Sequence, residues 1–326
     1  MSTSEQTPFR FWFERRPPER YAQLLEGAAV IVGDNSGSNG GPEAIAEAQA
    51  VVASARVRYD AELMDRVPGL RVISRTGIGV DNIALDAATS RGIAVCNVPD
   101  GPTVSTAEHA VTLLMAAAKQ IPAAAQSLRD GHGDLFNDYQ GIELDGLTLG
   151  LVGLGQIGRR VARICGAVGM QVVAYDPYLD PAVAESVPAE LVEDLESLLR
   201  RADVVSLHAP LTEQTSRMID RERLALMKPG AILVNTARGG LVEEDALLEA
   251  LDSGHIRGAG LDVFDPEPPQ PDNPLLHRPD VIATPHIAGA TLASKDRLWR
   301  IAITQALQVL RGETPPNLVN PAPDRR

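Results

Sequence analysis

The stretch Thr148-Leu-Gly-Leu-Val-Gly-Leu-Gly-Gln-Ile-Gly158 decides the fold of this 326-residue chain. It is an apolar run that leads into the spacing Gly-x-Gly-x-x-Gly, and a helical pattern follows it. A second apolar run, residues 171–175, ends at the acid Asp176. The order strand, glycine turn, helix, strand and acid is typical of a dinucleotide-binding unit.

The three glycines of this motif have different tasks. Gly153 permits the tight turn, and Gly155 lets the backbone approach a diphosphate. Gly158 lets helix and strand pack closely, so that the free N–H groups at the helix N-terminus point at the phosphates. The motif therefore predicts where the diphosphate of a dinucleotide binds.

The acid at the end of the second strand indicates which dinucleotide is preferred. The Asp176 carboxylate can accept hydrogen bonds from both ribose hydroxyls of an adenosine. A 2′-phosphate would meet like charge there, and the next residues, Pro177 and Tyr178, supply no arginine. The sequence thus favours NAD over NADP.

Composition excludes several other classes of protein. The formal net charge of −13 argues against nucleic acid or an anionic membrane as the main partner. The two cysteines, Cys96 and Cys165, lie in apolar segments without metal-ligand spacing, so we expect reduced core thiols and no metal. We find no signal-peptide pattern, and the apolar stretch 110–118 is far below the ~20 residues that span a bilayer. We expect a soluble, cytoplasmic protein.

Strands alternate with helices both before and after the glycine motif, which predicts an α/β fold with parallel sheets. We expect two doubly wound domains. An NAD-binding Rossmann domain, residues 101–289, is inserted into a flavodoxin-like substrate-binding domain made of residues 1–100 and 290–326. The chain is expected to cross between them near residues 99–103 and 287–291, and a cleft between such domains is a natural substrate site.

Several individual elements can be predicted from local patterns. The predictions are helices over residues 17–25 and 42–48, a strand over 28–32 followed by a loop over 33–41, a long helical stretch over 104–128 that Pro122 interrupts, and a last amphipathic helix over 291–311.

A partial match to the glycine motif lies upstream, in residues 70–82. It reads as a strand, then Gly77-x-Gly79, then a helix, with Asn82 in place of the third glycine. One interpretation is a plain turn between strand and helix. The interpretation we favour is a nest of backbone N–H groups that binds a carboxylate beside Arg75.

Three polar residues follow apolar strands in the second half of the chain: Arg238, Glu267 and His286. Open parallel sheets bind ligands at this edge. A guanidinium can hold an α-carboxylate in a fork and polarise the neighbouring carbonyl. An imidazole can transfer the hydroxyl proton near neutral pH, and a carboxylate bonded to it fixes its tautomer. Together these groups suit the reversible reduction of a 2-oxo acid by a nicotinamide cofactor.

Each residue of this trio also has a plainer interpretation when taken alone. Arg238 could cap a helix or form a surface ion pair. Glu267 lies among prolines and could be a solvated loop acid, while His286 could be an ordinary loop histidine. The shared placement after neighbouring strands favours the catalytic interpretation.

The whole chain resembles the D-isomer-specific 2-hydroxyacid dehydrogenase family, and most of all its phosphoglycerate dehydrogenase branch. The stretches that carry this resemblance are Arg75-Thr-Gly-Ile-Gly-Val-Asp-Asn82, residues 153–158, His208-Ala-Pro-Leu-Thr212, residues 235–240, Leu261-Asp-Val-Phe264 with Glu267-Pro268, and Thr284-Pro-His-Ile-Ala-Gly289. The resemblance implies an NAD-dependent enzyme that interconverts a small D-2-hydroxy acid and its 2-oxo acid. It further implies Arg238 for substrate binding, Glu267 as the partner of the histidine, and His286 as the acid/base.

The resemblance also implies the remaining contacts. The implied cofactor-binding residues are Gly153, Gly155, Gln156, Ile157, Gly158, Asp176, His208, Pro210, Ala237, Asp262, Ala288 and Gly289, with Asp262 at the nicotinamide end. The implied substrate-binding residues are Arg75, Gly77, Ile78, Gly79 and Arg238. Residues 104–128 are similar to the element through which the family dimerises, so a homodimer is implied.

In two respects the sequence differs from phosphoglycerate dehydrogenases, and these differences limit which of their properties can be expected here. Phosphoglycerate dehydrogenases tend to have a basic residue where this chain has Ala53, which leaves a phosphorylated substrate open; Arg56 or Arg58 could compensate. The sequence ends shortly after Asn320-Pro321, so we expect no regulatory C-terminal domain and no feedback control of that kind.

Two alternatives stay open at this point. The first is a relative that acts on another small anion, such as phosphite, with the same three residues. The second is an NAD(H)-sensing scaffold that resembles the transcriptional co-repressors among the relatives.

Overall fold

The computed structural model divides the chain into two compact units. One consists of Met1–Pro102 with Leu292–Arg326, and the other of Thr103–Thr291. The structure describes residues 7–36, 41–134, 138–180 and 187–321. Within these ranges, no helix has both the length and the apolar character that crossing a membrane requires.

The first unit is built on a five-stranded parallel sheet. Its strands are β1 (Phe9–Phe13), β2 (Ala29–Asp34), β3 (Ala50–Ala53), β4 (Val72–Arg75) and β5 (Ala94–Cys96). They lie in the order β2-β1-β3-β4-β5, and every described pairing is parallel. This is the order of a flavodoxin-like sheet, so the predicted fold class of this unit is confirmed.

Helices cover both faces of this sheet. They are α1 (Glu19–Ala22), α2 (Ala61–Asp65), α3 (Leu85–Ser90) and the last helix of the chain, α10 (Leu292–Leu310). Successive strand residues point to opposite faces: Phe11 and Phe13 pack with α1 and α10, whereas Trp12 packs with α2 and α3. Burial on both sides explains why these strands are continuous apolar runs.

The second unit contains a seven-stranded parallel sheet. Its strands are β6 (Thr148–Val152), β7 (Gln171–Tyr175), β8 (Glu190–Leu191), β9 (Val204–Leu207), β10 (Ala231–Asn235), β11 (Ile256–Leu261) and β12 (Val281–Ala283). The order is β12-β11-β10-β9-β6-β7-β8. The sequence order of the strands changes direction between β9 and β6: β6 to β8 extend to one side, and β9 to β12 extend to the other. This is the arrangement of a Rossmann sheet, and ligands bind at such a switch point.

Two helix layers enclose this second sheet. The described helices are α4 (Thr103–Ala118), α5 (Ile121–Arg129), α6 (Gln156–Ala167), α7 (Leu195–Arg201), α8 (Arg221–Leu226) and α9 (Glu244–Asp252). Residues of α4 and α6 form one core with one face of the sheet, and residues of α7, α8 and α9 form a second core with the other face. The predicted doubly wound Rossmann fold is confirmed.

Both cysteines lie in these cores, as predicted. Cys96 and Cys165 are buried free thiols. Burial raises the pKa of Cys96 to about 12 and that of Cys165 to about 11, so both thiols stay protonated at neutral pH.

Three local predictions in the first unit are wrong in detail. The helix predicted over residues 17–25 is one turn of α-helix followed by a 3-10 turn, and Pro42–Glu47 is 3-10 rather than α-helical. Strand β2 continues to Asp34, past the predicted start of the loop, because its parallel pairing with β1 continues through Phe13. Of that loop, residues 37–40 lie outside the described residues.

The long helical stretch predicted over residues 104–128 is broken before Pro122 rather than at it. A proline has no N–H to donate to the carbonyl four residues back, here that of Ala118. Instead, the N–H of Ile142 donates to the Ala118 carbonyl at 2.9 Å. Gln120 takes a left-handed φ of 44° between the two helices.

The first unit contains a buried carboxylate that holds one of its loops. Glu14 directly follows β1 and is only 3% exposed. It accepts hydrogen bonds from the backbone N–H groups of Ser54 (2.7 Å), Arg56 (2.9 Å) and Val57 (3.1 Å), and from the Tyr59 hydroxyl at 2.9 Å. The Ser54 hydroxyl donates to it as well. Glu14 thus fixes the loop that follows β3.

We predict that Glu14→Leu lowers the unfolding free energy of the first unit by roughly 3–5 kcal/mol, because several buried donors lose their acceptor. Both tryptophans of the chain, Trp12 and Trp299, belong to this unit, so urea unfolding followed by tryptophan fluorescence measures it. Glu47→Leu, at an exposed position, is the control, with a change within about 0.5 kcal/mol. Equal decreases in the unfolding free energy of the two variants would contradict the claim that Glu14 stabilises the loop after β3.

Candidate active site

The glycine turn after β6 has the geometry that its three positions predict. Gly153 has a φ of +95°, and a Cβ there would lie 2.8 Å from the His208 carbonyl. A Cβ on Gly158 would lie 2.3 Å from the Gly153 oxygen, which closes that position to any side chain. A Cβ on Gly155 would meet nothing within 4 Å. The middle glycine therefore faces open space, where a diphosphate can approach the backbone.

The helix and the acid next to this turn complete a dinucleotide-binding arrangement. Helix α6 begins at Gln156, and no side chain caps its N-terminus at Gly155. The Asp176 carboxylate accepts hydrogen bonds from the backbone N–H groups of Leu154 (2.9 Å) and Tyr178 (3.1 Å). The acid is thus tied directly to the glycine turn, and it is half-buried, so it keeps surface for a ribose.

His208 lies beside the turn as an uncharged group. Its backbone N–H donates to the Val152 carbonyl at 2.7 Å, and its Nε2 lies 3.0 Å from the Ser206 hydroxyl. Burial lowers the pKa of His208 to about 4, although the residue keeps some accessible surface. At neutral pH it therefore adds no positive charge near a bound diphosphate.

The loop after β10 is closed by Asn235. Its side-chain amide donates to the Arg238 carbonyl at 2.8 Å and accepts from the Ala237 N–H at 3.0 Å. The Arg238 guanidinium donates to the Ala237 carbonyl at 2.7 Å. A Cβ on Gly239 would lie 2.0 Å from the Phe264 carbonyl carbon. The loop that carries Arg238 thus packs directly against the chain leaving β11.

Asp262, at the end of β11, is the centre of the next group of contacts. It is fully buried. One carboxylate oxygen accepts from the Thr284 hydroxyl (2.5 Å) and the Ile287 N–H (2.9 Å), and the other accepts from the Ala288 N–H (2.8 Å). Burial raises the pKa of Asp262, but the nearby His109 imidazole, the Thr284 hydroxyl and the two N–H groups outweigh it and hold that pKa below its usual value.

His286 and Glu267 are in direct contact. The His286 Nδ1 lies 2.5 Å from a Glu267 carboxylate oxygen, and the two side chains are 34% and 38% exposed. The His286 backbone has a left-handed φ of 53°, and its N–H points to the carbonyls of Asp262 (2.8 Å) and Thr284 (3.0 Å). The carboxylate orients one ring nitrogen, and the exposed ring leaves the other for proton exchange.

The structure brings the predicted trio to one edge of the sheet. Glu267 and His286 form a hydrogen-bonded pair, and their catalytic role stays a prediction. Arg238 follows the neighbouring strand, in a loop that contacts the start of the segment carrying Glu267. A guanidinium, an imidazole and its carboxylate at adjoining strand ends can bind and protonate a 2-oxo acid.

The sequence did not indicate every residue of this arrangement. His109, on α4, contacts Thr284 at 3.0 Å, but it lies 175 residues away in the chain and inside an ordinary helical pattern. No local signal could have found it. Asp262 was expected at the nicotinamide end; the structure shows both of its oxygens bound to the loop of His286, and contact with a cofactor stays a prediction.

The predicted N–H nest in the first unit differs from expectation. The φ of Gly77 is not left-handed, so the loop lacks the alternation of a simple nest there. The carbonyls of Gly77 and Ile78 accept from the Val98 N–H (2.9 Å) and the Asn97 amide (2.8 Å). Helix α3 begins only at Leu85, so no helix follows the second glycine directly.

Asn82 occupies the position of the third glycine, and its side chain joins two loops. Its amide donates to the carbonyls of Ser54 (3.0 Å) and Val57 (2.7 Å), which ties this loop to the one that Glu14 holds. Substrate binding by Arg75, Gly77, Ile78 and Gly79 stays a prediction.

Comparison with known proteins places the chain in a family. Residues 111–288 match the model described as D-isomer specific 2-hydroxyacid dehydrogenase, NAD binding domain. The chain belongs to this family. The predicted resemblance and NAD as the cofactor of the second unit are thereby confirmed.

Individual relatives support the same placement. The chain is 47% identical to a D-3-phosphoglycerate dehydrogenase of Methanocaldococcus jannaschii over 85% of its own length and 53% of that protein. It is 42% identical to a glyoxylate reductase of Korarchaeum cryptofilum over 85% and 84%. A D-lactate dehydrogenase from Aquifex aeolicus, solved with NAD and lactic acid, superposes with a TM-score of 0.81 at 30% identity over 95% and 98%. The chain spans about half the length of the phosphoglycerate dehydrogenases that it matches.

We predict that Gly155→Ala weakens NADH binding at least ~10-fold while the melting temperature changes by less than about 2 °C, because the added methyl meets no protein atom but lies where a diphosphate approaches. Gly158→Ala is the matched comparison: its methyl collides with the Gly153 carbonyl and lowers the melting temperature. NADH fluorescence titration and thermal unfolding measure the two effects. Normal NADH affinity in Gly155→Ala would contradict the assignment of the turn.

Proposed function

We propose that this protein is an NAD-dependent oxidoreductase that interconverts a small D-2-hydroxy acid and its 2-oxo acid. The hydrogen bond between His286 and Glu267, at the carboxyl edge of an NAD-binding sheet, is the observation that carries the proposal. Family membership and the names of the relatives, a phosphoglycerate dehydrogenase, a glyoxylate reductase and a D-lactate dehydrogenase, support it.

In the proposed reaction, Arg238 binds the α-carboxylate of the 2-oxo acid and polarises its carbonyl. NADH, when bound, supplies the hydride that adds to the carbonyl carbon. His286 donates the proton on its Nε2 to the carbonyl oxygen, which completes the hydroxyl group. In the oxidative direction the same nitrogen removes the hydroxyl proton. Glu267 accepts a hydrogen bond from the proton on Nδ1 and so fixes the orientation of the ring.

We further propose that Arg75, Gly77, Ile78 and Gly79 bind substrate, and that the substrate carries a second anionic group. Two arginines at the carboxyl ends of β1 and β3 support this second part. The backbone N–H of Arg56 donates to the Glu14 carboxylate, and Arg15 directly follows Glu14 in the chain. Burial and the Arg56 guanidinium lower the pKa of Arg15, whereas Glu14 raises it. Two guanidiniums that repel each other favour an anion that both can bind, despite Ala53.

The assembly and location of the protein belong to the same proposal. We propose a cytoplasmic homodimer formed through residues 104–128. Exposed apolar side chains on α5 support the dimer: Ile121 is 53% exposed and Leu128 is 65% exposed.

Turnover of a panel of acids by the purified protein tests the proposed function. We expect NADH-dependent reduction of 2-oxo acids, fastest with 3-phosphohydroxypyruvate, which carries a phosphate, and slower with hydroxypyruvate, glyoxylate and pyruvate. Equal rates on all four would remove the second-anion proposal. Turnover of phosphite alone, or NADH binding without turnover of any acid, would support the alternative functions instead.

Substitutions then locate the chemistry. We expect His286→Gln to lower kcat about 10²–10⁴-fold and Arg238→Gln to lower kcat/KM by a similar factor, because each loses a group that acts in the transition state. We expect Glu267→Gln to lower kcat as well, because the Nδ1 of His286 then loses the carboxylate that orients the ring. His277→Gln and Arg221→Gln, at exposed positions elsewhere in the same unit, are the controls. Full activity in His286→Gln or Arg238→Gln would refute the site.

A further inference from the structure

His109, on α4, contacts Thr284 and Asp262, the two residues that hold the loop of His286. The His109 side chain is 19% exposed, and its Nε2 lies 3.0 Å from the Thr284 hydroxyl oxygen and 3.5 Å from a carboxylate oxygen of Asp262. Among the ion pairs of the described residues, His109 is the sole partner of Asp262. The proposed reaction assigns no role to this histidine.

Counting protons fixes the direction of these hydrogen bonds. The Thr284 hydroxyl lies 2.5 Å from Asp262, and an ionised carboxylate only accepts, so the single hydroxyl proton is donated to Asp262. The hydroxyl oxygen must therefore accept from His109. This requires a proton on the Nε2 of His109, either in the neutral tautomer or in the imidazolium form. The hydrogen bonds thus run from His109 to Thr284 to Asp262.

The same carboxylate controls the backbone around His286. Asp262 also accepts from the N–H groups of Ile287 and Ala288, and its carbonyl accepts from the N–H of His286. His286 is flanked on both sides by residues bound to this one aspartate. Its left-handed backbone depends on these contacts, since a non-glycine residue adopts that conformation only when its surroundings hold it.

We propose that His109 is a positioning residue for the proposed reaction: through Thr284 and Asp262 it holds the His286 loop in the geometry for proton transfer. The inference rests on the proposed function for its catalytic consequence. Without the donor on His109, Thr284 loses one partner and the buried Asp262 loses the neighbouring imidazole. The loop then opens more often, and the acid/base ring spends less time aligned with its substrate.

The test compares His109→Met with His109→Gln in the full chain. A glutamine amide can donate at about the reach of Nε2, whereas methionine has similar length and no donor. We expect His109→Met to lower kcat roughly 10–100-fold, to leave the Kd of NADH within about 3-fold, and to speed amide exchange at Ile287 and Ala288 about 10-fold. His109→Gln should recover most of both losses. His255→Met, a half-buried histidine of the same unit, is the control and should change neither.

The outcomes are separable. If His109→Met keeps normal kcat and normal exchange at Ile287 and Ala288, or if His109→Gln is as impaired as His109→Met in both, the positioning role is refuted. If the unsubstituted protein reduces none of the acids, the proposed function fails, yet amide exchange in the same variants still tests whether His109 holds the loop.

Discussion

The buried carboxylate of Asp262 is the interaction on which the candidate site depends. It is a full charge without exposed surface, directly after strand β11, and its compensation comes from donors on one loop and one helix. Those donors hold its pKa below the usual value, so it is charged throughout the neutral range. Its contribution to stability is present above the unfolded pKa and is lost as the pH falls through the folded one. The loop of His286 has its shape because this charge must be satisfied.

The strand order of the second unit explains how a few residues, far apart in the chain, come together in one candidate site. All seven strands of the second unit run parallel, so the loops after β6, β9, β10, β11 and β12 leave from one edge. The turn at Gly153 contacts the loop of His208, and Gly239 contacts the exit of β11. A continuous row of loops results, with the glycine turn where the strand order changes direction and the hydrogen-bonded pair of His286 and Glu267 further along. Backbone approach, made possible by glycine, joins neighbouring loops.

Much of this arrangement could be predicted from the sequence, and the physical reasons are particular. Strands buried on both faces are apolar runs, and the glycine spacing reports a tight turn, so both fold classes and the place of Asp176 followed directly. His286 and Glu267 follow strands and were predicted together. Hydrogen bonds between distant segments, such as those of Glu14 and His109, leave no local pattern. Pro122 did indicate a helix break, but the donor that replaces its lost N–H, Ile142, is distant in the chain and could not be predicted.

The most direct test of the bracing by Asp262 is the kcat of Asp262→Asn together with its affinity for NADH. An asparagine of the same size replaces one accepting oxygen by an amide that faces an N–H donor, so the loop loses its brace without losing volume. We expect kcat to fall on the order of 100-fold in a protein that still folds and binds NADH. A normal kcat in a folded Asp262→Asn protein would contradict the claim that this carboxylate positions His286.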